Sequence, residues 1–153
     1  MNDRYLYRAK RTDNGGWVEG YLIYAKKDCY ICEKPYECMS GYSSLNGQSY
    51  GFGGFKFVVP STICQCTGLK DKNGKLIWEN DIVKYHCGEK YAPIKYGVYQ
   101  SCFDSTKTGH CGFYVDWPEN VNKRKDLGYW INMVDAEIAG NIFDNPELLE
   151  VGE

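Results

Sequence analysis

A chain of 153 residues is long enough for one domain with a real core, or two small lobes sharing one, and too short for two large domains. Aromatics make up 16% of it, with 14 tyrosines, 17 glycines and no long apolar run, which favours strands joined by tight turns over a helical bundle. A formal net charge of −2 provides no overall positive field to draw in a polyanion, so nonspecific nucleic-acid binding is disfavoured.

The opening MNDRYLYRAKR is charged almost from its start and has no apolar h-region, and no apolar stretch in the chain reaches membrane-spanning length. A soluble cytoplasmic protein with no membrane partner is expected. RYLYRAK alternates Tyr5 and Tyr7 with Leu6 and Arg8, GWVEGYLIYA continues with period two from Trp17 to Tyr24, and TDNGG between them is turn-forming, so a β-hairpin is predicted. From Lys26 to Pro35 charges and cysteines mix, and an irregular segment is predicted there. SGYSSLNGQSYGFGGF, from Ser40 to Phe55, has neither helical nor strand period and reads as a long loop. Its GFGG lacks the Lys-Ser/Thr pair and following helix of a phosphate cradle. Tyr42, Tyr50, Phe52 and Phe55 could stack on bases, but no Lys or Arg cluster surrounds them, which favours packing on the protein.

FKFVVPSTICQCTGL returns to strand character, with Pro60 placing it at an edge or a strand end. In TGLKDKNGKLIWENDIVKY, residues 67–85, Asp71, Asn73 and Gly74 form a hairpin tip, because Asn-Gly tolerates positive φ at both positions. WENDIVKY adds a second bend in which Asn80 takes the left-handed conformation, while Glu79 and Asp81 hydrogen-bond local backbone N–H groups rather than perform acid–base chemistry. Further strands are predicted at IKYGVYQSCF and GFYVDW, with DSTKTGH as the turn between them. Gly97 marks a bulge or bend of the kind a small closed barrel uses to turn a corner. WINMVDAEIAGNIF is expected to end the sheet, and DNPELLE to start a helical turn with Asn145 as N-cap, Pro146 at the first position, and Leu148 and Leu149 anchoring the terminus.

Eight cysteines, Cys29, Cys32, Cys38, Cys64, Cys66, Cys87, Cys102 and Cys111, would suit a disulfide framework in a secreted chain. Without an export signal, scattered reduced thiols are the default and no cofactor is expected. The alternative is a structural zinc: Cys29 and Cys32 have a knuckle's two-residue gap, and Cys64 with Cys66, or the pairs His86-Cys87 and His110-Cys111, offer a second half. Each second half is imperfect, since ribbons repeat the two-residue gap and adjacent residues on a strand face opposite ways.

The two long stretches TGLKDKNGKLIWENDIVKY and EIAGNIFDNPELLE resemble the YopX family, found in bacteriophages and prophages. RYLYRAK, the glycine of YGVYQ and the Val-Asp-Ala-Glu approach to the closing motif are also similar, so the resemblance covers nearly the whole chain and is thinnest over residues 26–60. The family commonly has Gly at the position of Asn80, and Asn is the replacement expected if the backbone there needs positive φ. The resemblance implies a phage or prophage accessory protein in a bacterial host, with no established activity, no catalytic residues to transfer, and a C-terminal part similar to an SH3-like β-barrel.

These readings combine into a mainly β protein, with a β-rich α+β fold as the alternative. It is expected to be one YopX-type domain over residues 1–153, with an N-terminal β lobe over 1–66 and an SH3-like barrel with its helical turn over 67–150. An enzyme is not expected: His86 and His110 are the only histidines, neither sits in a recognisable nucleophile setting, and no Walker, Rossmann or deaminase spacing occurs. A protein-interaction or self-assembling module fits better, a homo-oligomer included, with Trp17, Trp78, Trp117 and Trp130 as anchor candidates, each more simply read as core. The alternative is a nucleic-acid-binding barrel using Lys70, Lys72, Lys75, Lys123, Arg124 and Lys125, provided the fold gathers them on one face.

Overall fold

The computed structural model describes residues 3–33, 54–85, 90–100, 105–106, 108–118 and 124–150. The fold is mainly β, all strand pairings are antiparallel, and the chain divides into two compact units, Met1–Gln65 and Cys66–Glu153.

In the first unit β1 (Tyr7–Lys10) and β2 (Trp17–Ala25) form the predicted hairpin, Tyr7 opposite Gly20 and Lys10 opposite Trp17. Its turn is closed by Arg11 N–H to Gly16 O at 2.8 Å, with Gly15 at φ +68°. The segment expected to be irregular instead supplies β3 (Asp28–Cys32), which pairs with β2 from Ala25–Asp28 to Tyr21–Cys32. Two lysines make the connection, Lys26 taking φ +58°, and nothing in Lys-Lys advertises a tight turn. β4 (Phe55–Phe57) lies beyond β3, giving the order β4-β3-β2-β1 with the start of β5 (Cys64–Lys70) beside β1. Past β4 the chain reaches back to β1: Thr12 N–H donates to Phe57 O at 3.0 Å and Val59 N–H to Lys10 O at 2.8 Å. The sheet thereby curls over a core of Ala9, Val18, Cys29, Ile31 and Val58. Pro60 opens a 3-10 turn, Pro60–Thr62, between β4 and β5.

The second unit pairs the rest of β5 with β6 (Leu76–Trp78), and sets β7 (Asp81–Tyr85), β8 (Lys90–Gln100), β9 (Gly109–Val115) and β10 (Glu137–Asn141) in the order β10-β7-β8-β9. The expected closed barrel is not found: among the described residues β9 and β10 are the outer strands of an open sheet. Gly97 makes no corner, since β8 and β9 pair in unbroken register from Ile94–Val115 to Gln100–Gly109 with Gly97 facing Gly112. The register shifts fall instead between Cys66 and Lys70, where Gly68 has φ +79°, and between Ile138 and Gly140.

Helix α1 (Leu127–Asn132) occupies part of the stretch expected to be sheet. Leu127, Trp130 and Ile131 are its buried residues, at the i, i+3, i+4 spacing of one helical face. They join Ile77, Val83, Ala92, Ile94, Val115, Trp117 and Ala136 in one core. The terminal 3-10 turn, Pro146–Leu149, follows Asn145, but that side chain forms no cap bond and Leu149 is exposed, so only half-buried Leu148 faces inward. No helix among the described residues is long and apolar enough to cross a membrane.

Candidate functional site

The charged tip of the long motif is a turn. Asp71 Oδ1 accepts from the N–H groups of Asn73 and Lys75, both at 2.9 Å, and Gly74 N–H donates to Asp71 O at 2.9 Å with Gly74 at φ +80°. At the second bend Asn80 has φ +66°. Its N–H donates to Ile94 O at 2.8 Å and its carbonyl accepts from Ile142 N–H at 3.0 Å, tying β8 and the closing motif to one residue. Asp81 is buried at 4% exposure, its Oδ2 accepting from Trp78 N–H at 2.9 Å. Glu79 is half-buried beside it.

The closing motif answers from β10, where Asn141 pairs with Asp81 and Glu137 with Lys84. Asn141 Oδ1 accepts from the N–H groups of Phe143 and Asp144 at 3.0 Å, and Asn145 Oδ1 turns back toward Asn141 N–H at 3.4 Å. Gly140 makes room for that fold-back, because a Cβ there would lie 2.2 Å from Asn145 Oδ1 and displace the Asn145 side chain.

The candidate basic residues fall on two elements. Lys70, Lys72 and Lys75 are exposed around the β5–β6 turn. Arg124 and Lys125 precede α1 and are held locally: Arg124 Nε lies 3.4 Å from Asp126 Oδ2 with its guanidinium 4.8 Å above the Tyr129 ring, and Lys125 Nζ lies 4.0 Å from Asp116 Oδ1. Lys123 lies outside the described residues.

Of the zinc candidates, Cys29 is a buried free thiol on β3, and Cys64 and Cys66 are buried free thiols on β5. Cys32 is disulfide-bonded, a departure from the expectation of reduced thiols throughout. Cys29 and Cys64 lie on strands that are not hydrogen-bonded neighbours in the order β3-β2-β1-β5. Among the described residues no three His, Cys, Asp or Glu side chains gather as a metal site. Cys38, His86, Cys87 and Cys102 lie outside the described residues, as do Tyr42, Tyr50 and Phe52. His110 and Cys111 are neighbours on β9 and face opposite ways: His110 stacks near Tyr99 at 5.6 Å, while Cys111 Sγ lies 3.8 Å from Tyr96 Oη.

The β8–β9 hairpin carries the clearest exposed apolar surface of the second unit. One face begins in the core at Ile94 and Val115, passes through Tyr96 against Phe113 at 5.1 Å, and reaches solvent at Val98 opposite Cys111. Exposure rises along it from 0% at Ile94 to 55% at Tyr96 and 73% at Val98. The other face is tied down by Tyr99 stacked on Tyr114 at 5.3 Å, and by Lys95 Nζ at 2.6 Å from Asp116 Oδ2. Burial, and then the nearby Asp126 carboxylate that accepts its O–H at 3.3 Å, push the Tyr99 phenol above its ordinary range. The hydrogen bond to Asp116 raises Lys95 likewise. In the first unit, Ile23, Ala25, Tyr30, Phe55 and Phe57 line an open apolar depression, and Arg8 and Lys10 lie over the half-buried ring of Trp17. The other three tryptophans are core.

A family model described as YopX protein matches residues 6–150. The chain belongs to the YopX family. No curated protein matches it. The YopX match spans both motifs that meet at Asn80, and the residues in that junction hold strands together. The exposed hairpin face is carried by Tyr96 and Val98, which the sequence does not single out, and by Cys111, which it offers only as a thiol and zinc candidate. Which face lacks a covering layer depends on where α1 packs, and residues 130–132 of α1 belong to a stretch that the sequence assigns to the sheet.

Proposed function

We propose that this YopX chain is a non-enzymatic protein-interaction module whose contact surface is the solvent face of the β8–β9 hairpin. In this reading it is a phage- or prophage-derived accessory protein acting in the cytoplasm of a bacterial host, and its C-terminal unit is an SH3-like scaffold whose sheet has stayed open. The observation that carries the proposal is Tyr96, Val98 and Cys111 exposed together on a strand pair whose root is buried in the core. Exposed aromatic and aliphatic groups on a rigid element lose little entropy on binding and serve as anchors. The non-enzymatic part is supported by the engagement of Asp81, Asp116 and Asp126 with structural partners. The local pairing of Arg124 and Lys125 weighs against the nucleic-acid alternative, which needs cations free for phosphates.

The test is affinity capture from host lysate with the wild-type chain and with Val98→Lys, with and without nuclease. A protein retained by the wild type, lost by the variant and indifferent to nuclease is expected. Recovery of nucleic acid that nuclease abolishes, undiminished by the variant, would overturn the reading.

A further inference from the structure

The sheets present four outer strands among the described residues, and three of them are blunted. β4 is capped where Thr12 and Val59 bond across its end, β6 is only three residues long, and β10 has a register break and an exposed Glu137. β9 between Gly109 and Phe113 has none of these protections: its register is regular and the sequence GHCGF carries no Lys, Arg, Asp, Glu or Pro.

The direction of its backbone groups follows from two bonds. Asp116 N–H donates inward to Pro93 O at 2.9 Å, and Val115 N–H donates outward to Lys125 O at 2.9 Å. Strand alternation then turns the N–H and C=O groups of Gly109 and Cys111, and the N–H of Phe113, away from β8. The segment at Lys125–Asp126 covers the edge only at Tyr114–Val115. Among the described residues nothing accepts from or donates to the Gly109 and Cys111 backbone on that side.

We infer that the uncovered half of β9 is a strand-addition edge, and that its occupant is the same edge of a second copy of this chain, paired antiparallel about a two-fold axis. The inference rests on the interaction-module reading and names its partner. An uncharged edge meets its own copy without like-charge contacts, which a charged edge does not allow. Gly109–Phe113 spans about 17 Å, so the buried area falls well below the roughly 800 Å² per partner of a standard interface. The dimer is therefore weak and forms at concentrations on the order of 100 μM. Pairing about this segment brings the two Cys111 side chains to within about 10 Å.

Sedimentation velocity of the full chain from about 10 to 500 μM tests this in wild type and in Cys111→Pro. The proline removes an N–H that faces away from β8, so it blocks the edge without breaking the hairpin. A dimer that grows with concentration in the wild type and is absent in Cys111→Pro with an unchanged circular dichroism spectrum is expected. Cross-linking with bismaleimidoethane gives a second readout should the proline variant not fold: a dimer band in wild type, lost in Cys111→Ser. A wild type that stays monomeric throughout, or a dimer that persists in a folded Cys111→Pro, would overturn the inference. A monomer that still captures a host protein through Val98 would leave the interaction-module reading standing, whereas a monomer that captures nothing would remove both.

Discussion

Asn80 offers the sharpest test of how this fold is held together. Its φ of +66° lies where an ordinary L residue loses about 1–2 kcal/mol, Asn somewhat less, and Gly nothing. The backbone cannot relax out of this region cheaply, because its N–H and carbonyl bond Ile94 and Ile142 at 2.8 and 3.0 Å. Asn80→Gly removes the steric cost but adds chain entropy in the unfolded state, leaving stability within about 0.5 kcal/mol of wild type. Asn80→Ala is expected to lose about 1 kcal/mol and Asn80→Val about 2 kcal/mol, the branched side chain fitting the left-handed region worst. Urea unfolding followed by tryptophan fluorescence reads the differences, with buried Trp78, Trp117 and Trp130 reporting on this unit. If valine is tolerated as well as glycine, backbone conformation is not why the bend carries Asn, and the structural reading of the motif fails.

Gly140→Ala would drive its Cβ to 2.2 Å from Asn145 Oδ1, with an expected loss of about 1–3 kcal/mol in urea unfolding. Adding Asn145→Ala should recover part of that loss, and no recovery would contradict the side-chain clash. Gly20→Ala meets backbone instead, with Cys32 O at 2.2 Å, so a larger loss of more than about 3 kcal/mol is expected in the same assay. Tyr99 and Lys95 both hold their protons more tightly in the folded chain than in the unfolded one. Their contributions are present in full below pH about 10 and are lost as pH rises through the raised folded values, so stability should fall above pH about 10 and Tyr99→Phe should flatten the fall. Unfolding midpoints measured from pH about 8 to 11 check this.

What the sequence revealed depended on whether a signal was local. The β1–β2 hairpin and the turn at Asp71–Gly74 are legible because Gly15 and Gly74, the residues that adopt positive φ there, are glycines. β3 is not, because the connection at Lys26 takes φ +58° without a residue that prefers it, the pairing with β2 supplying the constraint from outside. α1 is not legible, because Trp130 and Ile131 favour strands by type, while the Leu127, Trp130 and Ile131 spacing becomes decisive only with all three buried. Gly97 promises a bend that the strand does not make: a glycine opposite Gly112 leaves room for Tyr114 to lean across.

The same distinction bears on what YopX membership can say about function. Both long motifs converge on the junction where Asn80 joins β8 to the closing segment, Asp81 holds Trp78, and Gly140 admits Asn145. Each of those residues is constrained by backbone conformation, burial or close approach, so a chain can match the family closely by preserving a framework alone. On the β8–β9 hairpin Tyr96, Val98 and Cys111 are exposed and pair through their backbones, with Tyr96 packed on Phe113 and close to Cys111. On the interaction-module proposal, substitutions at these three positions, rather than in the motifs, are expected to separate binding from stability.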